Sequence, residues 1–211
     1  MTLVAFDFDG TLSDSEMTVL LGERCGVAAE MEAITERAMN DEIDYERSLR
    51  ERCALLDGLA AAEVRAAFDA VELRPGVIDL LRALAAAGVA TAVLTGGFGR
   101  GVEHALTREE VAVDTVVANE LDFEGEALTG AVTGPLIEGT KDDALRAVAG
   151  NAGADLGDTV AVGDGANDLP MLRVAGLAVG YEPKSAVEPH CDAVVGSMAE
   201  LRELFETRGV L

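Results

Sequence analysis

Four short apolar runs, each ending in glycine or polar residues, constrain the fold of this 211-residue chain more than any other feature. In chain order they are LVAF (3–6), VATAVLTGG (89–97), DTVAVGDG (158–165) and GLAVGY (176–181). Such runs are typical of buried parallel strands that continue into loops. Segments with apolar residues at three- and four-residue spacing, such as GVIDLLRALAAAG (76–88), lie between some of them and predict helices. The sequence therefore predicts an α/β fold with a mostly parallel sheet.

Residues 14–73 interrupt this alternation. They contain several consecutive amphipathic helix patterns and no convincing strand pattern, which predicts a helical cap inserted into a core formed by residues 1–13 and 74–211. Pro75 favours extended geometry in the residue before it and marks the return to the core. A second, smaller insertion over residues 119–134 alternates and turns like a β-hairpin.

The charge of the chain limits its partners. The sequence has 39 acidic and 16 basic residues and a formal net charge of −23, which repels polyanions and argues against nucleic acid. Arginine is the main cation, since the only lysines are Lys141 and Lys184. Concentrated salt screens such repulsion, which suggests the hypothesis of a halophilic host. No signal-peptide pattern and no apolar run of the roughly 18 residues that span a bilayer is present, so we expect a cytoplasmic protein without a membrane partner.

Polar side chains follow the predicted strands where each strand ends. Asp7 and Asp9 follow the first strand, Thr95 the second and Asp164 a later one, while Lys141 begins a helix pattern. The carboxyl ends of parallel strands meet at one edge of a sheet, so these groups should converge. Two unit charges of like sign at about 4 Å repel by roughly 4 kcal/mol at an effective dielectric constant of 20, so a cation is required among them. Oxygen ligands without His or Cys favour Mg²⁺, and a phosphate then becomes the natural ligand.

Two neighbouring carboxylates can take different catalytic roles. Asp7 is a candidate nucleophile, because an aspartate can form an aspartyl phosphate and split one displacement into two steps. Asp9 can protonate the leaving alkoxide and later activate water. Each motif alone also has a structural interpretation, as a solvated strand end, a turn or an Asx-rich loop. Because the motifs occur in this order and each lies at the end of a predicted strand, together they favour a functional site.

DFDGT (7–11), LTGG (94–97), Lys141 and GDGAND (163–168), in this order, resemble the four motifs of the haloacid dehalogenase superfamily. The resemblance implies a Rossmann-like core with an inserted cap and a Mg²⁺-dependent phosphatase that works through an aspartyl phosphate. It implies that Asp7 is the nucleophile and Asp9 the acid and base. It also implies that Asp7, the backbone carbonyl of Asp9 and Asp164 bind the metal, and that Thr95, Gly96 and Lys141 bind the phosphate. Asn167 and Asp168 would support the metal and the phosphate from their shared loop.

Within that superfamily, the predicted cap resembles that of the phosphoserine phosphatases, through Glu16 and the stretch YERSLRERCALL (45–56). This resemblance implies that Glu16 binds a substrate ammonium and Arg52 a substrate carboxylate, while Met39 and Tyr45 line the pocket. A bidentate arginine suits a carboxylate. Glutamate and arginine are also common on solvated helix faces, so the residue pattern alone does not select these two.

Two departures from the family pattern leave the substrate open, since Gly10 and Thr95 stand where serine is usual. Besides a phosphoserine phosphatase, the sequence allows another small-metabolite phosphatase or a phosphotransferase with an acceptor such as homoserine. It also allows a phospho-accepting signalling receiver, but Asp9 argues against this, because an acid and base beside the nucleophile shortens the life of the aspartyl phosphate. We expect a small phosphomonoester as ligand and a monomer or homodimer.

Overall fold

The structure is a computed structural model that describes residues 1–39 and 42–211. The side chain of Met39, which the resemblance assigns to the substrate pocket, lies outside the described part of the chain. Met39 therefore stays a prediction from the sequence.

One seven-stranded sheet forms the centre of the molecule. Its strands are, in chain order, β1 (Leu3–Phe6), β2 (Ala90–Phe98), β3 (Thr115–Glu124), β4 (Ala127–Thr133), β5 (Thr159–Gly163), β6 (Leu177–Tyr181) and β7 (Ala193–Val195). The order across the sheet is β4-β3-β2-β1-β5-β6-β7. All neighbouring strands are parallel except β3 and β4, which confirms the mostly parallel α/β fold.

Helices surround the sheet. In chain order they are α1 (Met17–Cys25), α2 (Ala28–Met39), α3 (Tyr45–Ala54), α4 (Ala61–Asp69), α5 (Val77–Ala86), α6 (Gly99–Arg108), α7 (Pro135–Glu138), α8 (Lys141–Ala152), α9 (Leu169–Val174) and α10 (Met198–Arg208). Short 3₁₀ helices cover Leu156–Asp158, Ala166–Asp168 and Glu188–His190. Helices α1–α4 follow one another between β1 and α5, with no strand among the described residues of this segment. We call residues 14–73 the insertion.

The core consists of apolar side chains on both faces of the sheet. In β1, Val4 and Phe6 belong to one buried cluster, while Leu3 and Ala5 belong to another. Successive residues of a strand point to opposite faces, and β1 is buried throughout because both faces are covered. This explains why its sequence is continuously apolar and does not alternate.

Strand β1 marks the point where the chain reverses its direction across the sheet. It pairs with β2 on one side and β5 on the other, so that β3 and β4 extend one side and β6 and β7 the other. In open α/β sheets, ligands bind beyond the carboxyl ends of the strands at such a switch point. The fold alone therefore places a binding site after Phe6.

The hairpin predicted for residues 119–134 is present but is not a separate unit. The first half of β3 is parallel to β2, and its second half is antiparallel to β4. The hairpin also pairs with the insertion, because the Leu128 amide donates to the Leu59 carbonyl at 2.9 Å and the Gly58 amide donates to the Leu128 carbonyl at 2.9 Å. The sheet and the insertion are thus joined by backbone hydrogen bonds away from the chain connections at residues 13 and 74.

Candidate active site

Three charged groups that lie far apart in sequence meet at the carboxyl ends of β1 and β5. The Lys141 ammonium, at the start of α8, lies 2.6 Å from Asp7 Oδ1 and 2.5 Å from Asp168 Oδ1. All three residues are at most 3% exposed. Burial lowers the pKa of Lys141, but Asp168 and Asp7 outweigh this effect and raise it, so the lysine is charged. The cation that the sequence required among these carboxylates is therefore partly supplied by Lys141.

Asp168 organises the loop that follows β5. Its Oδ1 faces Lys141, and its Oδ2 accepts hydrogen bonds from the backbone amides of Asp164 and Gly165, each at 2.9 Å. Both oxygens are thus occupied by protein donors. The supporting role predicted for Asp168 fits these contacts better than a role as the main metal ligand.

The carboxylates of Asp7, Asp164 and Asp168 form a group that could hold a metal ion. One oxygen from each lies within 4.8 Å of the others. Both oxygens of Asp168 are held by protein donors at 2.5–2.9 Å, whereas the protein donors of Asp164 lie at 3.4 Å, so Asp7 and Asp164 are the carboxylates with more capacity for an ion. Oxygen donors without His or Cys suit a hard divalent cation. The Thr11 hydroxyl, 3.4 Å from Asp164 Oδ1, adds a further polar contact.

Gly10 lies directly against this group. It has a φ of +85°, and a Cβ built there would lie 2.7 Å from Asp164 Oδ1. A left-handed backbone favours glycine, and the short distance leaves no room for a side chain. The departure from the serine of the family pattern therefore has a local cause, since a side chain here would displace Asp164.

Asp9 occupies a different environment from Asp7. Its Oδ1 is buried and, within the described residues, has no hydrogen-bond partner. Burial raises the pKa of Asp9 well above its usual value, and Glu16 and Asp7 raise it further. A raised pKa favours the protonated form of a carboxyl group, and that form can donate a proton to a leaving group.

The pKa of Asp7 is also raised. Burial is the main cause, and Asp168 adds to it, while the charge of Lys141 and its hydrogen bond to Asp7 oppose it. Asp7 and Asp9 thus differ in partners, because Asp7 contacts a buried cation and Asp9 does not. The assignment of Asp7 as nucleophile and Asp9 as acid and base stays a prediction, and this difference in partners gives the two carboxyl groups distinct environments.

The last residues of β2 form an irregular polar segment beside the carboxylates, because the pairing of β2 with β3 shifts register between Leu94 and Phe98. The Gly97 amide donates to Thr95 Oγ1 at 2.9 Å. Asn119 Nδ2 donates to the Gly96 carbonyl at 3.0 Å, and Asn119 Oδ1 accepts from the Leu136 amide at 3.1 Å. Asn119 is fully buried and fixes the Gly96 peptide. The sequence analysis missed it, and its only signal was an amide side chain inside an apolar strand pattern.

Tyr45, on the insertion, contacts Gly96 at the end of β2. Its hydroxyl donates to the Gly96 carbonyl at 3.3 Å, and a Cβ at Gly96 would collide with the same hydroxyl. Burial raises the pKa of Tyr45 to about 12, so the phenol is neutral at physiological pH. Tyr45 thus contacts Gly96, which the resemblance assigns to phosphate binding, while its role in a substrate pocket stays a prediction.

Glu16 and Arg52 lie on the insertion without strong partners. The Arg52 guanidinium donates to Thr18 Oγ1 at 3.2 Å and to the Ser48 carbonyl at 3.3 Å. Within the described residues, neither side chain has an oppositely charged group within 4.0 Å. Glu16, at the N-cap position of α1, has its pKa raised by desolvation.

Glu16 and Arg52 interact electrostatically with neighbouring charged groups. The charges of Lys184, Asp164 and Arg52 all act on the pKa of Glu16. Arg52 also lowers the pKa of Tyr45 against the effect of burial.

Three further residues complete the description of the rim. Asn167 is exposed and lies over Gly165, so the structure brings it to the loop but gives it no hydrogen bond within the described residues. Arg74 donates to the Gly10 carbonyl at 3.1 Å, and Lys184 Nζ lies 3.4 Å from Asp164 Oδ2. The sequence analysis did not predict Arg74 or Lys184 as site residues, because neither belongs to a motif.

Comparison with known proteins identifies the family of this chain. The model of the haloacid dehalogenase-like hydrolase family matches residues 4–173. The chain is 52% identical over 210 residues to a phosphoserine phosphatase of Halobacterium salinarum, an alignment that covers 100% of both chains. It is 41% identical to the phosphoserine phosphatase SerB2 of Mycobacterium tuberculosis over 90% of its own length, but it spans only 46% of that longer relative.

Two solved structures of phosphoserine phosphatases share the fold. A substrate-bound complex has a TM-score of 0.88 and 32% identity, with 98% of this chain and 97% of the other covered. A phospho-aspartyl intermediate analogue has a TM-score of 0.86 and 33% identity, with 96% and 98% covered. The chain belongs to the haloacid dehalogenase-like hydrolases.

Proposed function

We propose that this chain is a Mg²⁺-dependent phosphatase that hydrolyses L-phosphoserine to L-serine and phosphate through an aspartyl phosphate on Asp7. The observation that carries this proposal is the contrast in partners between Asp7, whose Oδ1 lies 2.6 Å from the buried Lys141 ammonium, and Asp9, whose buried Oδ1 has no hydrogen-bond partner within the described residues. The phosphoserine phosphatases that match along the whole chain support the choice of substrate.

The donor set fits a magnesium ion. The carboxylates of Asp7 and Asp164 and the backbone carbonyl of Asp9 would hold it, while Asp168 fixes the loop. When bound, Mg²⁺ neutralises charge on the phosphoryl group. Such an ion is needed because Asp7, Asp164 and Asp168 carry three carboxylates, whereas Lys141 is the one buried cation beside them among the described residues.

The first step forms the covalent intermediate. An Asp7 oxygen attacks phosphorus and the bond from phosphorus to the seryl oxygen breaks, while Asp9 transfers its proton to that oxygen. Lys141 and the amides near Gly96 stabilise the charge on the phosphoryl oxygens. The Thr95 hydroxyl accepts from the Gly97 amide, so its own proton is free for a phosphate oxygen.

The second step regenerates the enzyme. Asp9, now ionised, takes a proton from water as the water oxygen attacks phosphorus, and the bond between Asp7 and phosphorus breaks. Inorganic phosphate leaves, and Asp9 is protonated again. A single residue thus serves as acid and then as base, which is consistent with its raised pKa.

Substrate selection lies with the insertion. We assign residues 14–73 to a cap and residues 1–13 with 74–211 to the catalytic core. In the cap, Arg52 binds the substrate carboxylate and Glu16 the ammonium, while Tyr45 closes the pocket over Gly96. Arg52 contacts only neutral groups within the described residues, so its fork is available to a carboxylate.

The surroundings of the enzyme are a separate part of the proposal. The chain is expected in a cytoplasm rich in salt, because its net charge is −23 and its full-length relative comes from Halobacterium salinarum. Within the described residues, no helix has the length and apolar character needed to cross a membrane. A monomer or homodimer stays the expected state.

Salt should stabilise this protein. Raising KCl from about 0.1 M to about 1 M shortens the Debye length from roughly 10 Å to about 3 Å and screens the repulsion between surface carboxylates. The melting temperature, followed by circular dichroism, should rise steadily over this range and beyond. A melting temperature that stays constant or falls would refute the halophilic part of the proposal.

A substrate panel tests the activity itself. Phosphate release is measured with Mg²⁺ on L-phosphoserine, phosphothreonine, phosphoglycolate and a sugar phosphate, with and without serine or homoserine as acceptor. We expect the highest kcat/KM for L-phosphoserine and free phosphate as the product. A tenfold preference for the sugar phosphate would refute the substrate, and phosphate transfer to an acceptor would instead identify a phosphotransferase.

A further inference from the structure

The loop after β6 carries a charged side chain to the metal-binding group. Glu182, its first residue, has a φ of +41°, which is unusual for a residue with a side chain. Arg74 holds it through a salt bridge of 2.8 Å between Nη1 and Oε2, and the Glu182 amide donates to the Val195 carbonyl at 2.9 Å. A backbone conformation of this kind persists only where the surrounding contacts maintain it, and it is concentrated at functional sites.

The turn at Glu182 positions Lys184 on the loop after β5. The Lys184 amide donates to the Asp164 carbonyl at 2.9 Å, and its Nζ lies 3.4 Å from Asp164 Oδ2. The two loops are therefore joined by a backbone hydrogen bond as well as by a charge pair. Asp164 is the carboxylate with free capacity that Lys141 does not contact.

Lysine is a rare choice in this chain. All but two of its 16 basic residues are arginine, and both lysines lie at the carboxylate cluster. Lys141 is buried between two carboxylates, whereas the Lys184 side chain is 65% exposed. An ammonium on a flexible stem can leave one carboxylate easily, because it is a compact charge without the two-pronged geometry of arginine.

We propose that Lys184 is a displaceable counter-ion of Asp164, which occupies this carboxylate until a divalent cation replaces it and thereby sets the affinity of the site for the metal. The inference rests on the metal requirement in the proposed function. Lys141 cannot act in this way, since it is fixed by Asp7 and Asp168 inside the protein. Lys184 is exposed and contacts one carboxylate, so it can move away.

Two effects of Lys184 act in the same direction. Its contact with Asp164 must be broken before the metal binds there, and its positive charge repels a divalent ion nearby. Solvent screens both effects because the side chain is largely exposed. Removing the charge should therefore strengthen metal binding, by a moderate factor that shrinks as salt increases.

Direct measurement of metal binding tests this inference without any substrate. Isothermal titration calorimetry with Mg²⁺, and with Mn²⁺ as a second probe, is applied to the wild type and to Lys184→Met and Lys184→Arg. We expect Lys184→Met to bind the metal about three- to tenfold more tightly at low salt. Lys184→Arg keeps the charge and should stay within about twofold of the wild type.

The matched control is Arg208→Met, which changes the net charge by the same amount. Arg208 is exposed at the end of α10 and has no salt bridge within the described part of the chain, so its removal should leave metal affinity unchanged. Unchanged or weaker binding by Lys184→Met, beside normal binding by the wild type, would overturn the role of Lys184 alone. A wild type that binds neither ion would overturn both this inference and the metal requirement of the proposed function.

Discussion

The rim, by which we mean Asp7, Asp9, Lys141, Asp164 and Asp168 at the carboxyl ends of the strands, and the insertion hold their functional side chains in different ways. At the rim, Lys141 contacts two carboxylates, and Asp168 contacts Lys141 and two backbone amides, all at 2.9 Å or less. On the insertion, Arg52 makes two contacts with neutral groups at 3.2 and 3.3 Å, and Tyr45 makes one at 3.3 Å. The rim is organised before any ligand arrives, whereas the insertion presents groups that a ligand can still bind.

This difference has a physical reason. Buried charges are stable only when they are paired and hydrogen-bonded, which explains the short contacts of Asp7, Lys141 and Asp168. Asp9 is the exception, because its buried Oδ1 has no hydrogen-bond partner within the described residues. Preorganised charges are also what stabilises a transition state. Groups that select a substrate must instead gain their best contacts from the substrate itself. The account therefore assigns chemistry to the rim and selection to the insertion, and each prediction below tests one side of that division.

The largest effect is expected for Asp7→Asn, which removes the nucleophile with little change in size. Activity on every phosphomonoester should fall by at least about a thousandfold, and intact mass spectrometry should detect no phosphorylated protein. Asp155→Asn is the control, because Asp155 is exposed and should leave the activity unchanged. Substantial turnover by Asp7→Asn would contradict the covalent mechanism.

Lys141→Met should damage both stability and activity. The variant leaves Asp7 and Asp168 buried without their cation, which typically costs about 3–5 kcal/mol in the free energy of unfolding. Denaturant unfolding measures this loss, and phosphate release should fall with it. If Lys141→Met is as stable as the wild type, the rim is not held together by this ion pair.

A smaller effect is expected for Gly10→Ser, which restores the serine of the family pattern. The left-handed backbone costs about 1–2 kcal/mol with any side chain, and the new side chain must also displace Asp164. Gly26→Ser is a matched control, because Gly26 has a φ of +75° but nothing within 4 Å of its Cβ position.

Only Gly10→Ser should therefore lower activity and metal binding, while both variants lose stability in denaturant unfolding. Equal activity in the two variants would show that Asp164 can move without consequence.

The sequence predicted the rim well, because its residues follow strands that are recognisable from apolar runs. Asp7 and Asp164 stand directly after β1 and β5, and parallel strands bring their ends together. The prediction that Thr95 follows its strand was wrong, because β2 continues to Phe98 and includes Thr95. The φ of +85° at Gly10 gives this glycine a conformational role that the sequence pattern alone does not show. Burial of both strand faces explains why these runs were so clear.

Other parts of the site could not be found in this way. Asn119 lies in the middle of β3, and Lys184 belongs to a loop near the end of the chain, so their contacts depend on the folded topology. Glu16 and Arg52 came from a resemblance alone, because acidic and basic residues are frequent on exposed helix faces. The hairpin was predicted as a separate insertion. Its first strand is instead the second half of β3, whose first half pairs with β2, and this pairing cannot be predicted from the local pattern.

The most direct test of the division between rim and insertion compares two substrates in Arg52→Leu. The kcat/KM is measured for L-phosphoserine and for p-nitrophenyl phosphate, which has neither an ammonium nor a carboxylate. The account predicts a loss of about tenfold or more for L-phosphoserine, since a charge-assisted bidentate pair is removed, and a change of less than about twofold for the other substrate. An equal loss with both substrates would contradict the account, because Arg52 would then support the chemistry and not the selection.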